Sequence, residues 1–479
     1  MQFLNRQNNL ARALAMSGLV LSVSGMSSLV FAANDQSTDT MSNAQLTQMV
    51  KELSAQNKLL LEKLNQIEAK QAQQESQVQQ QSTQIQQQVQ LQTQQVQQQA
   101  QVIDQVQQDI KSSASKKQSD GESTTVSGYG EIGYNRPTKA PEDSNVDVQR
   151  AVIGLNHRFD DQTKMVAEFE WEHAITSSSD QGEAEVEQLG IEREFKSNLR
   201  GRAGLFLMPV GLINQNHEPT AYYGVYRPEV DTKIIPSTWR EVGIGLSGDT
   251  ENSLTWDVAF TTSPNLSKWD PTSTEGRDRG PLQATHGEGQ FATARDFGGV
   301  IALNWRGIPG LMLGSSVVYD SIGQHQPDFL ANHSKLLMLD LHGRYQIGDL
   351  DLAGEFIRAT ISNTKQINTD FLATTIDPNL IPSLFYGGYL QAGYRAWQSG
   401  DYVLKPFIRY EILNTAAGFD SLAEKKPDEK IWTVGANLEI GEGVVVKADY
   451  RKNKVNTMPD PENHFNLGDS LNLGVGFSF

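Results

Sequence analysis

The sequence predicts an all-β transmembrane barrel of 16 antiparallel strands that is preceded by a long α-helical coiled coil. Three observations predict this organisation. Short segments of alternating apolar and polar residues fill the chain from about residue 124, a Gln-rich region with heptad spacing precedes them, and the N-terminus has the pattern of an export signal. The predicted parts are a signal peptide at 1–32, a periplasmic coiled coil at 41–111, a linker at 112–123 and the barrel at 124–479.

Composition excludes several classes of protein. The 479 residues include 57 acidic and 40 basic side chains, which gives a formal net charge of -17. A nucleic-acid partner is not expected, because binding to phosphates requires a basic surface. The chain contains no cysteine, which excludes disulfides, Cys-ligated metals and thiol catalysis.

The first 32 residues have the three parts of a signal peptide. Arg6 and Arg12 supply a positive region, an apolar stretch runs from Leu14 to Val30, and Val30-Phe31-Ala32 matches a cleavage site. A membrane anchor is the alternative, but Ser and Gly interrupt the apolar stretch and it is short for a membrane span. We therefore expect the chain to be exported and cleaved after Ala32 or Ala33.

The region 41–111 is rich in Gln and carries a heptad pattern. Leu or Ile recurs every seven residues in its first half, and Val or Ile does so in its second half after a shift of phase. The positions are Leu46, Leu53, Leu60 and Ile67, and then Val89, Val96, Ile103 and Ile110. This spacing is typical of a coiled coil with one stutter, and the β-branched residues favour more than two strands. A disordered Gln-rich tract is the alternative.

After the polar linker at 112–123, alternating segments of about ten residues predict the strands of a barrel. We place strands at 124–134, 147–159, 163–173, 183–195, 198–208, 239–248, 252–262, 294–305, 310–320, 334–346, 349–360, 384–397, 402–412, 429–440, 443–452 and 468–479. Tight turns such as 160–162 alternate with long connections such as 209–238. That asymmetry is typical of the periplasmic and extracellular ends of an outer-membrane barrel.

The two faces of each strand differ in polarity. In 443–452, apolar Val444, Val446 and Tyr450 alternate with Lys447 and Asp449. The apolar face suits lipid and the charged face predicts a water-filled interior. A soluble β-sandwich explains neither the strand count nor the final strand, which ends in the aromatic Phe479. Because 16 to 18 strands leave an aqueous channel, the strand count itself predicts a pore.

The chain contains Arg202-Ala-Gly-Leu-Phe-Leu-Met-Pro-Val-Gly211, Tyr226-Arg-Pro and Ile235-Pro-Ser-Thr-Trp-Arg-Glu-Val-Gly-Ile-Gly-Leu246. These three stretches resemble the phosphate-selective porin O/P superfamily. The coiled coil ahead of the barrel is similar to the periplasmic extension of DcaP-like porins. The resemblance implies a trimer of 16-stranded channels. Phosphate porins carry a ladder of Arg and Lys along the pore, whereas here acidic and basic residues on the inward face are about equal in number, so phosphate selectivity is not expected.

Alternation assigns charged residues to the pore wall. The predicted basic residues are Arg150, Arg158, Arg200, Arg202, Lys405, Arg409, Lys447 and Arg451, and the predicted acidic residues are Glu168, Glu170, Glu172, Glu192 and Glu194. Opposed charges of this kind would orient polar solutes, although local pairing of the charges is the alternative. The connection 209–238 is expected to fold inward and narrow the pore, with Tyr222, Tyr223 and Arg227 as candidate solute contacts.

No enzyme, cofactor or metal is expected. The GxGxxG motif at 128–133 lies within a strand pattern and opens no helix, and the eight His residues lack metal-binding spacing.

We predict a homotrimeric outer-membrane porin of a Gram-negative bacterium, in contact with lipid, for passive diffusion of small polar, mainly anionic solutes. The alternative is a structural protein whose periplasmic coiled coil, about 100 Å long, contacts the cell wall.

Overall fold

The computed structural model of the chain describes residues 123–177, 182–420, 425–454 and 468–479, together with Lys51, Ser54 and Lys58, which are helical and exposed. The predicted signal peptide and almost all of the predicted coiled coil and linker lie outside the described residues. These three assignments therefore stay predictions.

Seventeen β-strands form one sheet, and each of the 16 predicted strands overlaps an observed one. The strands are β1 Ser123–Pro137, β2 Asn145–Arg158, β3 Thr163–Glu172, β4 Glu183–Lys196, β5 Leu199–Leu207, β6 Arg240–Asp249, β7 Leu254–Thr261, β8 Gly298–Ile308, β9 Leu311–Asp320, β10 Leu336–Ile347, β11 Leu350–Ile361, β12 Leu384–Tyr394, β13 Trp397–Ser399, β14 Tyr402–Gly418, β15 Glu429–Ile440, β16 Val444–Lys454 and β17 Ser470–Ser478. The short β13 continues β12 along the same neighbour, β14, so the barrel wall has 16 strand positions.

The sheet closes on itself. β1 pairs with β17 from Tyr129↔Ser478 to Pro137↔Ser470, and all neighbouring strands are antiparallel. Along β15, the outward Trp432 and Val434 are 45% and 53% exposed, whereas the inward Ile431 and Thr433 are buried. A closed barrel leaves no unpaired strand edge. The exposure of alternate residues along β15 shows the alternation of faces that the sequence predicts.

The connections differ at the two ends of the barrel. Tight turns at 159–162, 197–198, 250–253 and 441–443 lie at one end, which we call the tight-turn end. The long connections 208–239, 262–297, 321–335 and 362–383 lie at the other, the long-loop end. Helical structure among the described barrel residues is short: α1 is Glu275–Asp278, α2 is Lys365–Thr374, and a π-helical turn spans Val230–Ile234. None of the described helices has the length and apolar character needed to cross a membrane.

The interior is not polar throughout, which corrects the expectation of a wet lumen along its whole length. At the long-loop end, buried apolar side chains from the long connections pack against inward residues of β10 to β15. Among them are Val230, Ile234, Trp239, Leu266, Ile322, Met338, Ile357, Ile381, Phe385 and Leu413. Burial of a large aliphatic or aromatic side chain stabilises a fold by roughly 1.5–3 kcal/mol, which explains why long connections fold into the barrel.

Candidate functional site

Residues 208–239, which connect β5 to β6, fold into the barrel; we call them the inserted segment. Five of its backbone amides donate hydrogen bonds of 2.6–3.2 Å to polar side chains of the wall. The donors are Gly211, Leu212, Gly224, Val225 and Glu229, and the acceptors are Asp340, Glu355, Asn437, Asp449 and Glu411 respectively. Since four acceptors are carboxylates on β10, β11, β14 and β16, the wall holds the segment through its backbone.

The Pro-Val-Gly turn at the start of the segment depends on its glycine. Gly211 has a φ of +71°, and a Cβ at this position would lie 2.4 Å from Oε1 of Glu355. Only glycine adopts this conformation at low cost and lets the backbone approach a wall carboxylate so closely. The motif noted in the sequence therefore directs the chain into the lumen.

Two of the three candidate contact residues of the segment, Tyr222 and Tyr223, reach the wall. Tyr222 donates a hydrogen bond of 2.6 Å to Glu131, and the hydroxyl of Tyr223 donates one of 3.2 Å to Asp351. Arg227 reaches Thr238 within the segment. All three side chains belong to residues that are only 5–6% exposed. We therefore assign Tyr222 and Tyr223 to anchoring the segment to the wall and Arg227 to bonds within the segment, and their contact with solute stays a prediction.

A second anchor joins the segment to β1 and β4. The imidazole Nε2 of His217 lies 2.7 Å from the hydroxyl of Tyr129 and 2.8 Å from Oε1 of Glu187. All three residues are buried. Sequence alternation missed Glu187, because a register shift in β4 next to Phe169 of β3 brings this odd-numbered residue to the inward face.

The predicted acidic residues lie on the inward face of β3 and β4. Glu168, Glu170 and Glu172 are side by side on β3, and Glu170 is fully buried. Glu192 pairs with Lys164 at 2.7 Å near the tight-turn end, where Glu194 is exposed. The five acids thus lie on two neighbouring strands, and only part of the group is open to water.

The predicted basic residues are mostly paired with nearby carboxylates. Arg150 contacts Glu131 and Glu170, Arg200 contacts Asp249, Arg202 contacts Asp257, Lys405 contacts Glu439, Arg409 contacts Glu411 and Arg451 contacts Glu229. Arg158 is exposed at the end of β2, and Nζ of Lys447 lies 3.6 Å from the ring centre of Tyr222. Because each pair cancels locally, the hypothesis of two opposed, uncompensated walls is replaced by one of mixed pairs.

Two neighbouring acids of the segment have opposite electrostatic environments. Burial raises the pKa of Glu229, but the positive charges of Arg451 and Lys233 outweigh it and lower the pKa to about 2. Burial also raises the pKa of Asp231, and the nearby Asp340 and Glu411 add to the increase. Neither carboxylate oxygen of Asp231 has a hydrogen-bond partner among the described residues. One acid therefore stabilises the inserted segment, and the other opposes its burial.

Among the residues that the structure describes, no cluster of three or more His, Asp or Glu side chains has a geometry that could hold a metal ion.

The similarity of this chain to known proteins lies in its barrel fold. No family model matches the chain. An uncharacterised protein of Aquifex aeolicus is 27% identical over 347 residues, which cover 71% of this chain and 77% of that protein. OmpF of Salmonella typhi, solved in complex with daunomycin, covers 75% of this chain and 98% of its own with a TM-score of 0.50 and 15% identity. The chain has the porin fold.

Two further solved barrels cover the same part of the chain at lower scores. The outer membrane channel DcaP of Acinetobacter baumannii has a TM-score of 0.47 at 10% identity, with 75% of this chain and 98% of DcaP covered. An anion-selective porin from Comamonas acidovorans has a TM-score of 0.48 at 11% identity, with 75% and 100% covered. At these identities the likeness concerns the fold alone.

Proposed function

We propose that this chain is an outer-membrane porin of the DcaP-like type, within the phosphate-selective porin O/P superfamily, that lets small polar and mainly anionic solutes diffuse passively. The observation that carries the proposal is a closed barrel of 16 strand positions with a segment held inside it by wall carboxylates. A barrel of this size encloses an aqueous space, and an inserted segment narrows it. The apolar side chains at the long-loop end narrow it further, which favours a selective channel over a wide one.

The test is electrical. The purified full chain in a planar bilayer is expected to give stepwise conductance increases, with a reversal potential in a salt gradient that indicates weak anion preference. Absence of any current from protein whose barrel is folded would overturn the proposal. A reversal potential of the opposite sign would overturn the anion preference alone.

A homotrimer is part of this proposal. The resemblance of 202–211 and 235–246 to trimeric porins supports it, as does the heptad pattern of 41–111. Mass measurement in mild detergent is expected to give three chains for each particle, and a monomer at all protein concentrations would contradict this.

The heptad pattern also favours a second candidate function, that of a spacer between the outer membrane and the cell wall. A helix across 41–111 would reach about 100 Å. Deletion of this region would then loosen the attachment of the envelope while the bilayer conductance stays unchanged. Conductance lost together with attachment would argue against a separate tethering role.

A further inference from the structure

A cavity of about 190 Å³ lies between the inserted segment and the wall formed by β8 to β12. Gln215, Asn216 and Tyr222 of the segment line one side, and Asn304, Arg306 and Gln391 of the strands line the other. Arg306 precedes the tight turn between β8 and β9, so the cavity lies towards the tight-turn end. Its volume corresponds to about six water molecules, which limits an occupant to a small molecule.

The lining has an unusual charge for this acidic chain. It contains two arginines, Arg306 and Arg344, a histidine, His342, and several side-chain amides, but no Asp or Glu. The formal net charge of the whole chain is -17. Three carboxylates, those of Asp340, Glu355 and Asp351, bond lining residues from behind, so the charge that the cavity offers to an anion depends on which of its cations stays unpaired.

The two arginines are not equivalent. Arg344 is held by Asp351 through bonds of 2.9 and 2.6 Å, which neutralise its charge. Among the described residues, the contact of the Arg306 side chain is a weak hydrogen bond of 3.3 Å from Nη2 to the sulfur of Met312, and no carboxylate lies within ion-pair distance. Arg306 is exposed and its charge acts on Asp249 at the tight-turn end, but its guanidinium has no ion-pair partner among the described residues and can bind one anionic group.

The side-chain amides of Gln215, Asn216, Asn304 and Gln391 line the rest of the cavity, around the position of the bound anion. Each Asn and Gln side chain carries both a donor and an acceptor, so the cavity can bind hydroxyl or amino substituents as well as water. A guanidinium matches the geometry of a carboxylate with two parallel hydrogen bonds. One free arginine next to several amides therefore fits a single carboxylate that carries a polar substituent.

We propose that this cavity is a binding site for small monoanions of the hydroxy- or amino-carboxylate class, with Arg306 as the residue that binds the carboxylate. The site rests on the proposed channel function and places solute selection on β8 to β12. It would hold a solute transiently beside the inserted segment during passage. The eight basic positions predicted from the sequence lie elsewhere on the wall.

The experiment uses lactate as the probe and glycerol as a neutral molecule of similar size. Lactate is added to the full-length protein in planar bilayers, and the concentration that halves the chloride current is measured. Replacement of Arg306 by Gln is expected to raise this concentration about tenfold, because a charge-assisted bidentate contact is lost. Glycerol should have little effect on either protein. Arg306→Lys keeps the charge but loses the bidentate geometry of the guanidinium. The lactate concentration that halves its current should therefore lie between those of the wild type and Arg306→Gln.

The matched control is Arg358→Gln. Arg358 lies on the outward face of β11 between the inward Ile357 and Ala359, so the variant makes the same change of charge on the other side of the wall. Its lactate block should equal that of the wild type. If Arg306→Gln conducts normally and lactate blocks it as in the wild type, the proposed site is wrong although the channel function stands.

Equilibrium binding separates the two proposals further. Isothermal titration of lactate into the detergent-solubilised protein reports on the cavity without any current. Binding that disappears in Arg306→Gln, in a protein that does not conduct, would support the site and overturn the channel. An open channel in which neither block nor binding depends on Arg306 would overturn the site.

Discussion

Replacement of Glu229 by Gln should release the inserted segment without unfolding the barrel. The carboxylate of Glu229 contacts Nζ of Lys233 at 3.3 Å and also pairs with Arg451 of β16. All three side chains are at most 12% exposed. Gln keeps the shape of the side chain but removes its charge, so two buried cations lose a shared partner.

Two independent estimates give the size of this effect. Removing one member of a buried ion pair costs about 3–5 kcal/mol. The lowering of the pKa of Glu229 from 4.5 to about 2 corresponds to about 3.4 kcal/mol of preference for the ionised form. A loss of about 3 kcal/mol raises the population of the open segment roughly 150-fold.

Cleavage by trypsin measures that population. Lys233 is buried, so the bond after it is accessible only when the segment opens, and Arg227 is protected from trypsin by Pro228. When reclosing is faster than cleavage, the cleavage rate follows the open population. We expect cleavage after Lys233 to be about 100-fold faster in Glu229→Gln, while the barrel keeps its folded mobility on unheated gels.

Asp231→Asn provides a control of opposite sign in the same segment. The pKa of Asp231 is raised in the inserted state, so as the pH rises its carboxyl group ionises earlier in the open segment than in the inserted one. Ionisation at neutral pH therefore disfavours the inserted state. Removal of the charge should therefore slow cleavage. Equal cleavage rates in the wild type and Glu229→Gln would refute the idea that this ion pair holds the segment.

Three further predictions concern pH, assembly and the barrel wall. Since the pKa of Glu229 is about 2, its stabilisation is complete above pH 4.5 and declines as the pH falls towards 2. Hydrogen exchange of 209–238, corrected for its intrinsic pH dependence, should increase over that range in the wild type. It should increase less in Glu229→Gln, where the remaining increase comes from other carboxylates that hold the segment, such as Glu429 beside Lys233. Deletion of 41–111 should shift the mass in mild detergent from trimer to monomer at lower protein concentration, with no change in β-structure by circular dichroism. Gly204 has a φ of +132°, and a Cβ there would lie 2.3 Å from the carbonyl of Leu189, so Gly204→Ala should lower the heat-modifiability midpoint while Gly348→Asn in an open turn should not.

The sequence determined the barrel because its pattern is local. Side chains of a strand alternate between lipid and interior, so residues such as Trp432 and Thr433 indicate their faces without knowledge of their neighbours. The number of strands follows from counting such segments. The connection 208–239 is much longer than a turn, and its length indicated that it folds into the barrel. The structure adds that the first and last strands, β1 and β17, pair antiparallel, as an even number of strand positions permits.

Tertiary structure decided how the interior charges are used. Arg409 and Lys447 face inward, as alternation predicts, but the inserted segment covers them, and Arg409 donates to the carbonyls of Tyr223 and Tyr226. Charges on different strands pair according to register and bulges, and alternation carries no information on either. Arg306 differs from the neighbouring Arg344 only in lacking an ion-pair partner among the described residues, and that difference depends on contacts between parts of the chain far apart in sequence.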